Sequence, residues 1–378
     1  MKKLIVPFLL VLLPVMLMAG IFEGRDLYGY EHPLLSSRAW RLTEQIISAS
    51  DGAQWIPQTR VHPFYNTAHP AQVDSLHMDA WDYENSEWMP AAMVAYLEYN
   101  AAGRIVSNVI NMNFFGMMFP MMMETATYDS QNRITHLYMY FADPEGPVYW
   151  VPSMRLHLIY GTGTSLQVYG WEEGDNEERL PHYFHSTFTN DAQGRITEEL
   201  SYTSPDSTIW VQNYRDNYQY HAQDTTTGAE IIEHISTYLP MMLFNDGYLF
   251  PGKFTAINSH SWNGAVWEPQ SRATLLYNAQ VLNTERLDEY YSGGIWYPEY
   301  KKLYYYDANG QQSYTIGQFH DGMNFVNDER YDYTWEQYGS ANDDPAIPAP
   351  RLSLSAYPSP FANELTILPT SDSKGNLL

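Results

Sequence analysis

Cysteine is absent from the 378 residues, and basic residues are scarce. The first absence excludes disulfide bonds, thiolate nucleophiles and cysteine-ligated metal sites. Only 20 Lys and Arg stand against 44 Asp and Glu, so the formal net charge is -24. Nucleic-acid binding is therefore disfavoured, because phosphate backbones are bound by basic surfaces. What the chain does have is 44% hydrophobic and 15% aromatic residues, which predicts a folded protein rich in β-strands.

One apolar run is long enough to direct the chain to a membrane, and it lies at the N-terminus. Met1-Lys2-Lys3 precedes an apolar run from Leu4 to Met18, and Ala19-Gly20 follows it. This order is typical of a secretory signal peptide, here residues 1–20. The run is shorter than the roughly 20 residues of a membrane-spanning helix, so we expect no transmembrane segment after its removal. The sequence predicts export through the periplasm to the cell surface or the medium.

Residues 21–54 are expected to form a helical lead-in. Leu35, Ala39, Leu42 and Ile46 recur at helical spacing, and Gly52 can end the helix. From Trp55 the pattern changes to strands and turns.

Residues 55–339 contain a repeat of about 30 residues. An aromatic-x-Pro tripeptide recurs, and an anchor residue, usually tyrosine, stands about ten residues after its aromatic residue. The tripeptides begin at Trp55, Trp88, Trp150, Trp267 and Trp296, and the anchors are Tyr65, Tyr99, Tyr128, Tyr160, Asn190, Tyr220, Tyr248, Tyr277 and Tyr306.

The turn that follows the anchors explains the repeating unit. Tyr306-Asp307-Ala308-Asn309-Gly310 places Asp at the first position of a type I turn and Gly at the left-handed position of a hairpin. Each unit is therefore predicted to be one β-hairpin. The even spacing of ten predicts that the Trp and the Tyr lie on one face of the strand.

Nine hairpins give about eighteen antiparallel strands, more than an open twisted sheet usually holds. The predicted fold class is all-β, a long meander that curls into a shell or splits into packed sheets, preceded by the short helix. A propeller of roughly five blades is the alternative, because two units supply the four strands of a blade.

Two of the turns resemble a known repeat family. The segments Tyr128-Asp129-Ser130-Gln131-Asn132-Arg133 and Asn190-Asp191-Ala192-Gln193-Gly194-Arg195 resemble the Y-D-x-x-G-R signature of YD (RHS-type) repeats. The resemblance implies hairpins of the kind that line large β-shells in bacterial surface proteins and toxins. In this chain the period is longer and the aromatic-x-Pro element is additional.

The C-terminal end resembles a sorting signal. Residues 340–350 are rich in Pro and Ala and indicate a linker, and residues 351–378 contain a Y-P-x-P-F…L-T-I pattern. This pattern is similar to the first strand of the type A sorting domain of the type IX secretion system, with Ser359 in place of the usual Asn. The resemblance implies contact with the secretion machinery and a Bacteroidetes-type envelope, although 28 residues are fewer than the family's sandwich. The residues that carry it are Tyr357, Pro358, Pro360, Phe361, Leu365 and Ile367.

Signals for chemistry are weak. The acidic run at Glu172, Glu173, Asp175 and Glu177 is a candidate for weak calcium binding, but it is more typical of a solvated loop. His182 and His185, three residues apart in a strand, should lie on opposite faces. The chain has no G-x-S-x-G elbow, no phosphate-binding loop and no H-E-x-x-H pattern, so no catalytic residue and no cofactor is predicted.

The Met-rich run around Met117 and the Trp and Tyr ladder are expected to fill a core, although both could serve as partner or sugar-binding surfaces. The predicted function is that of an exported binding or structural surface protein with no catalytic centre. The alternative is a carbohydrate-active enzyme, or its glycan-binding partner, that uses acidic loops and exposed Trp.

Overall fold

The computed structural model describes residues 40–67, 69, 72–114, 116–142, 150–161, 166–172, 182–239, 252–337, 356–358 and 365–367. The predicted signal peptide and linker lie outside these residues. The chain forms one helix, α1 (Gly228–Tyr238), and twenty strands within the described residues. The strands are β1 (Trp40–Ser50), β2 (Trp55–Tyr65), β3 (Val73–Asp82), β4 (Glu87–Tyr99), β5 (Ile105–Phe114), β6 (Met117–Tyr128), β7 (Ile134–Ala142), β8 (Trp150–Tyr160), β9 (Leu166–Glu172), β10 (His182–Asn190), β11 (Ile196–Ser204), β12 (Val211–Tyr220), β13 (Phe254–Trp262), β14 (Trp267–Tyr277), β15 (Asn283–Ser292), β16 (Ile295–Tyr306), β17 (Gln312–His320), β18 (Phe325–Gln337), β19 (Ala356–Pro358) and β20 (Leu365–Ile367).

Strands β1 to β18 close into an antiparallel barrel. Each strand pairs with the next along the chain, and β18 returns to pair with β1 from Trp40 opposite Gln337 to Ala49 opposite Glu329. The hairpin array and the strand number agree with the sequence, but the predicted open meander or shell and the alternative propeller are wrong. Closure satisfies the backbone groups that the two edge strands of an open meander would leave unpaired.

The strand that closes the barrel occupies the segment predicted to be a helix. Leu42 and Ile46 lie in β1, which is paired on both sides, with β2 and with β18. A bulge between Leu42 and Glu44 shifts the strand by one residue. The apolar residues therefore follow neither strict alternation nor a true helical face. The predicted helix is wrong from Trp40 onward, and Leu35 and Ala39 lie outside the described residues.

The predicted turns are confirmed. Backbone bonds from Gly103 to Asn100, from Gly194 to Asp191 and from Gly310 to Asp307 close them at 2.9 to 3.1 Å. These glycines have φ of 76°, 82° and 78°. The left-handed residue of each turn is thus the one that the sequence indicated.

Eight of the nine anchors end the even-numbered strands β2 to β16, and Trp335 in β18 takes the ninth place. The expected copy at Tyr248 lies outside the described residues; β12 and β13 pair directly with each other, and the connection between them contains α1. Thr227 caps α1 in a reciprocal capping box with Glu230.

The Trp and the anchor Tyr of one strand face opposite sides of the barrel, contrary to the even-spacing expectation. In β14, Ser259 pairs with Ser271 and His260 pairs with Pro269, so Gln270 is an extra, bulged residue. The same one-residue bulge follows Pro57, Pro152 and Pro298. Proline cannot donate to the ladder, and a bulge beside it accommodates the missing bond while it reverses the alternation.

The anchors form a ring of hydrogen bonds inside one end of the barrel. Six anchor hydroxyls donate to a backbone carbonyl of the preceding hairpin, and these bonds tie neighbouring hairpins together. The bonds are Tyr65 to Leu42 (2.8 Å), Tyr99 to Val73 (2.7 Å), Tyr128 to Ile105 (2.6 Å), Tyr160 to Ile134 (2.9 Å), Tyr220 to Ile196 (2.8 Å) and Tyr277 to Phe254 (2.8 Å), and the indole Nε1 of Trp335 donates to Gln312 (2.7 Å).

Helix α1 packs across this same end, which we call the turn end because the type I turns lie there. Ile231 and Ile235 are buried in the main core, the Ser236 hydroxyl accepts from the backbone N–H of Ile134 at 3.1 Å, and Arg104 forms an ion pair with Glu233. The anchor tyrosines pack against that core. The expectation that they fill a core is confirmed.

The outer face of the barrel is polar at mid-height. An Arg or Lys five residues before the anchor projects outward on six even strands, and most of these side chains pair with a carboxylate. The pairs are Arg60–Asp79, Arg215–Glu198, Arg272–Glu289, Lys301–Glu285 and Arg330–Asp332. The Trp side chains also lie on this face: Arg60 stacks over Trp88 and Arg272 over Trp296. The expectation that the Trp residues are core is therefore wrong.

Candidate binding site at the barrel mouth

The end of the barrel opposite the turn end carries a ring of inward-facing apolar side chains. Each of these residues directly follows the aromatic position of the repeat. The residue that pairs with it on the neighbouring strand has its side chain on the inner face of the barrel, so the residue itself also points inward. We call this end the mouth and these residues the mouth ring: Ile56, Met89, Phe119, Val151, Val211, Tyr297 and Val326.

The mouth ring is open to solvent although it faces inward. Met89 is 46% exposed, Phe119 42%, Val211 53% and Tyr297 41%. Large apolar side chains exposed at one place on a folded chain are typical of a binding surface. Helix α1 packs at the opposite, turn end, and no residue that the structure describes covers the mouth ring.

Methionines line one side of the interior below the mouth ring. Met112, Met122, Met139 and Met154 are buried on β5 to β8, and Met117 at the rim is 59% exposed. The Met-rich run therefore divides: its deeper part fills the core as expected, and its rim part does not. Unbranched thioether side chains adapt to irregular partners, so this wall can change shape around a ligand.

The opposite side, on β15 to β18, is polar. The Tyr300 and Tyr331 hydroxyls both donate to Glu329, at 2.5 and 2.8 Å, and Lys302 lies over the Tyr331 ring. Burial and the neighbouring Glu329 carboxylate raise the pKa of Tyr300. Arg286, also buried, forms an ion pair with Asp288 at 2.8 Å. This network is internally satisfied, so it holds the wall in place.

Three inward carboxyl groups lie deeper in the barrel. Burial raises the pKa of Glu124 to about 8, with the Asn108 amide donating to it at 2.7 Å. Burial raises the pKa of Glu199 to about 7 and that of Asp216 to about 6, and these two residues are opposite each other on β11 and β12. A carboxyl pair of this kind could perform acid–base chemistry only if a substrate reached it, and Asp216 is only 4% exposed.

The rim of the mouth is acidic. Asp51, Asp82, Asp206 and Asp321 lie at or beside the start of a hairpin connection, and each accepts backbone N–H groups two and three residues ahead. These bonds lower the pKa of all four, aided at Asp82 chiefly by the Asn85 side chain, and that of Asp206 falls to about 2. The rim therefore stays negatively charged across the physiological pH range.

A second aromatic feature lies on the outer face. The rings of His136, His157, Tyr169, His185 and Tyr202 are directly opposite one another on β7 to β11. The two rings of His136 and His157 stack at 4.4 Å, and those of Tyr169 and His185 at 4.1 Å. Burial lowers the pKa of His136 and of His185, so both imidazoles favour the neutral form that stacks.

The residues singled out from the sequence do not converge on one site. Glu172 ends β9, while Glu173, Asp175 and Glu177 lie outside the described residues, so weak calcium binding there stays a prediction. Within the part of the chain that the structure describes, no group of three His, Asp or Glu side chains is arranged to hold a metal ion. Nor does any helix in that part have the length and apolar character to cross a bilayer.

The sorting pattern is described only in part. Tyr357 and Pro358 lie in β19, which pairs with β20, where Leu365 and Ile367 lie; Pro360 and Phe361 are outside the described residues.

The mouth ring was missed, although the sequence carries its signal. The middle residue of the aromatic-x-Pro tripeptide is Ile56, Met89, Val151 or Tyr297, and only Glu268 in that position is charged. The available clue was that this position of the repeat is apolar in most copies of the tripeptide, although it does not belong to the Trp and Tyr ladder that was expected to form the core.

No protein-family model matches the chain, and no curated protein matches it. Among solved structures, a porin-like protein from Bacteroides vulgatus shares 8% identity over 78% of this chain and 97% of that one, with a TM-score of 0.34. A protein of unknown function from Bacteroides fragilis shares 14% identity over 32% of this chain and 87% of that one, with a TM-score of 0.27. The Photorhabdus luminescens Tc holotoxin pore shares 10% identity over 74% of this chain and 16% of that one, with a TM-score of 0.30. Likenesses at this level carry no argument about the repeat or the function of this chain.

Proposed function

We propose that the chain is an exported barrel, displayed at the cell surface or released, that binds a partner at its mouth. The observation that carries the proposal is the exposed, inward-facing mouth ring at the end of the barrel opposite α1. A purely structural barrel would gain stability by covering these side chains, at about 25 cal/mol per Å² of apolar surface.

The polarity of the outer face supports a barrel surrounded by water. A transmembrane barrel presents an apolar band about 25 Å tall to lipid. Here the corresponding height carries Arg272–Glu289, Arg215–Glu198 and Arg60–Asp79. Placing these pairs in hydrocarbon would cost several kcal/mol each, so aqueous display is favoured.

Delivery by the type IX route is the finer part of the proposal. It rests on the similarity of the Tyr357–Ile367 pattern to type A sorting domains and on the short β19–β20 pair. Fusing residues 340–378 to a periplasmic reporter in a bacterium with type IX secretion tests it. Surface delivery that is lost when Tyr357 and Phe361 are changed to Ser supports sorting, and a reporter retained in the periplasm contradicts it.

Mouth binding is tested with the mature chain on glycan and peptide arrays, scored for retention and for release of shortened sugars. The Phe119→Ser/Tyr297→Ser variant should lose retention. The matched Phe64→Ser/Leu276→Ser variant, which changes exposed apolar residues of the outer face, should keep it. The proposal is contradicted if the Phe119→Ser/Tyr297→Ser variant keeps retention while the Phe64→Ser/Leu276→Ser variant loses it. Release of shortened sugars contradicts a non-enzymatic role.

Glycan binding is the second candidate. Tyr290 and Tyr297 face each other at the mouth with ring centroids 5.3 Å apart and 42% and 41% exposure. Aromatic rings with polar neighbours suit the alternating apolar and hydroxyl faces of a sugar. Retention on the glycan array alone, abolished by Tyr297→Ser, would favour this candidate.

A further inference from the structure

The charge at the mouth restricts what the mouth ring can bind. The described connections at this end, residues 51–54, 83–86, 205–210, 263–266, 293–294 and 321–324, contain no Lys or Arg. Asp51 and Asp321 begin two of these connections, and Asp206 lies in a third. Backbone hydrogen bonds lower the pKa of all three carboxyl groups and keep them ionised. At the turn end, by contrast, Arg133 and Arg195 neutralise the turn aspartates at 2.7 Å. Within the described connections, the mouth is thus an apolar ring inside an acidic rim that contains no Lys or Arg.

We propose that the occupant of the mouth is a polypeptide segment with a basic face and an apolar face. The inference rests on the proposed binding role of the mouth and names its ligand class. Apolar side chains of the segment contact the mouth ring and the adaptable methionines, and its Lys and Arg meet the rim aspartates. Anionic ligands are repelled by the same charges.

The closed barrel also decides how such a segment binds. Every strand from β1 to β18 is paired on both sides, so the segment cannot add to a sheet edge and must bind through side chains. Eighteen strands spaced about 4.8 Å apart give a backbone perimeter of about 86 Å, which for a round barrel is a diameter of about 27 Å, larger than the 10–12 Å width of a helix. An amphipathic helix fits this arrangement.

Rim charge can be removed without changing the turns. Asn263 begins the β13–β14 connection and accepts the N–H groups of Ala265 and Val266 at 2.9 Å, as the rim aspartates do in their own connections. Asp→Asn substitutions at the rim therefore keep the bonds and delete only the charge. At the turn end, Asn100 and Asn278 show that Asn is equally tolerated there.

The experiment measures binding of fluorescent 20-residue amphipathic peptides to the mature chain by anisotropy. The three peptides share one apolar face and carry Lys, Glu or Gln on the other. We expect the Lys peptide to bind at least tenfold more tightly than the other two and to weaken at least tenfold between 50 and 500 mM salt. The Asp51→Asn/Asp82→Asn/Asp321→Asn variant should lose about tenfold in affinity, and the matched Asp129→Asn/Asp191→Asn/Asp307→Asn variant should lose less than twofold.

Two outcomes overturn the inference in distinguishable ways. If all three peptides bind equally, lose affinity with Phe119→Ser/Tyr297→Ser and ignore the rim variant, the mouth binds but the basic class is wrong. If no peptide responds to the mouth variant, or the turn-end variant matches the rim variant, the mouth is not a polypeptide site and the proposed function loses its main support as well.

Discussion

At the scale of single residues, Glu124 places a titration near neutral pH inside the barrel. It is 1% exposed and its pKa is raised to about 8, so the folded chain keeps a proton that the unfolded chain releases near pH 4.5. The folded state binds more protons between these values, so the contribution of this group to stability is full below pH 4.5 and is lost as the pH rises to about 8.

Glu124→Gln should therefore stabilise the chain at neutral pH. The amide oxygen can still accept from Asn108, while the cost of holding a proton disappears. We expect a gain of about 2–3 kcal/mol at pH 7 and no gain at pH 4, measured by urea unfolding at both values. Glu84→Gln in an exposed connection is the control and should change neither value. A gain that is equal at both pH values would show that the carboxyl is not protonated in the fold.

Val281 carries backbone strain. It has φ of +59°, in the turn position that Gly103, Gly194 and Gly310 occupy elsewhere in the barrel. A β-branched residue is strained in this conformation, while Gly is not. Val281→Gly should raise the free energy of unfolding by about 1 kcal/mol, measured by chemical denaturation. The reverse change, Gly310→Val, should lower it by a similar amount. If both substitutions raised the free energy of unfolding, or both lowered it, the strain argument would be contradicted.

At the scale of elements, the anchor ring ties hairpin to hairpin. The Tyr220 hydroxyl donates to the carbonyl of Ile196, a residue that is 3% exposed, so no water can replace the bond. Tyr220→Phe keeps the ring under Arg195 and should cost about 1–3 kcal/mol. Tyr305→Phe, on the outer face, is the matched change and should cost less than about 0.5 kcal/mol. Similar losses in the two variants, compared by thermal unfolding, would argue that the bond is not structural.

The turns could be predicted from the sequence because their chemistry is local. Asp307 and Gly310 lie within one turn, and the side-chain bond and the positive φ depend on no other part of the chain. The faces of the strands could not be predicted, because a single bulged residue such as Gln270 reverses them. The sequence around Gln270 contains a proline that permits the bulge, but the pairing with Ser259 and His260 reveals where it falls.

At the scale of the whole molecule, closure depends on residues nearly three hundred positions apart. Trp40 pairs with Gln337, and no local pattern in either segment indicates the other. The strand count could be read from the repeat, whereas the choice between an open meander and a barrel depended on recognising β1. The sequence shows that the middle position of the tripeptide is apolar, but the inward direction of the mouth ring could be assigned only after closure, since an open sheet has no inside.

Deleting β1 should therefore convert the barrel into an open sheet. A mature chain that lacks residues 21–50 exposes the edges of β2 and β18, and such unpaired edges associate with one another. We expect light scattering after gel filtration to show dimers or larger species, and the melting temperature to fall. A chain that lacks only residues 21–38 keeps β1 whole and should keep the oligomeric state and the melting temperature of the mature chain.

A synthetic peptide of residues Trp40–Ser50 sharpens this prediction. If β1 stabilises the barrel by pairing with β2 and β18, the peptide should bind the chain that lacks residues 21–50 and return it to the oligomeric state of the mature chain. It should not bind the full mature chain, in which both edges are already paired. A deleted chain that is monomeric without the peptide would mean that β2 and β18 close on each other, and β1 would then be an insertion rather than the closing strand.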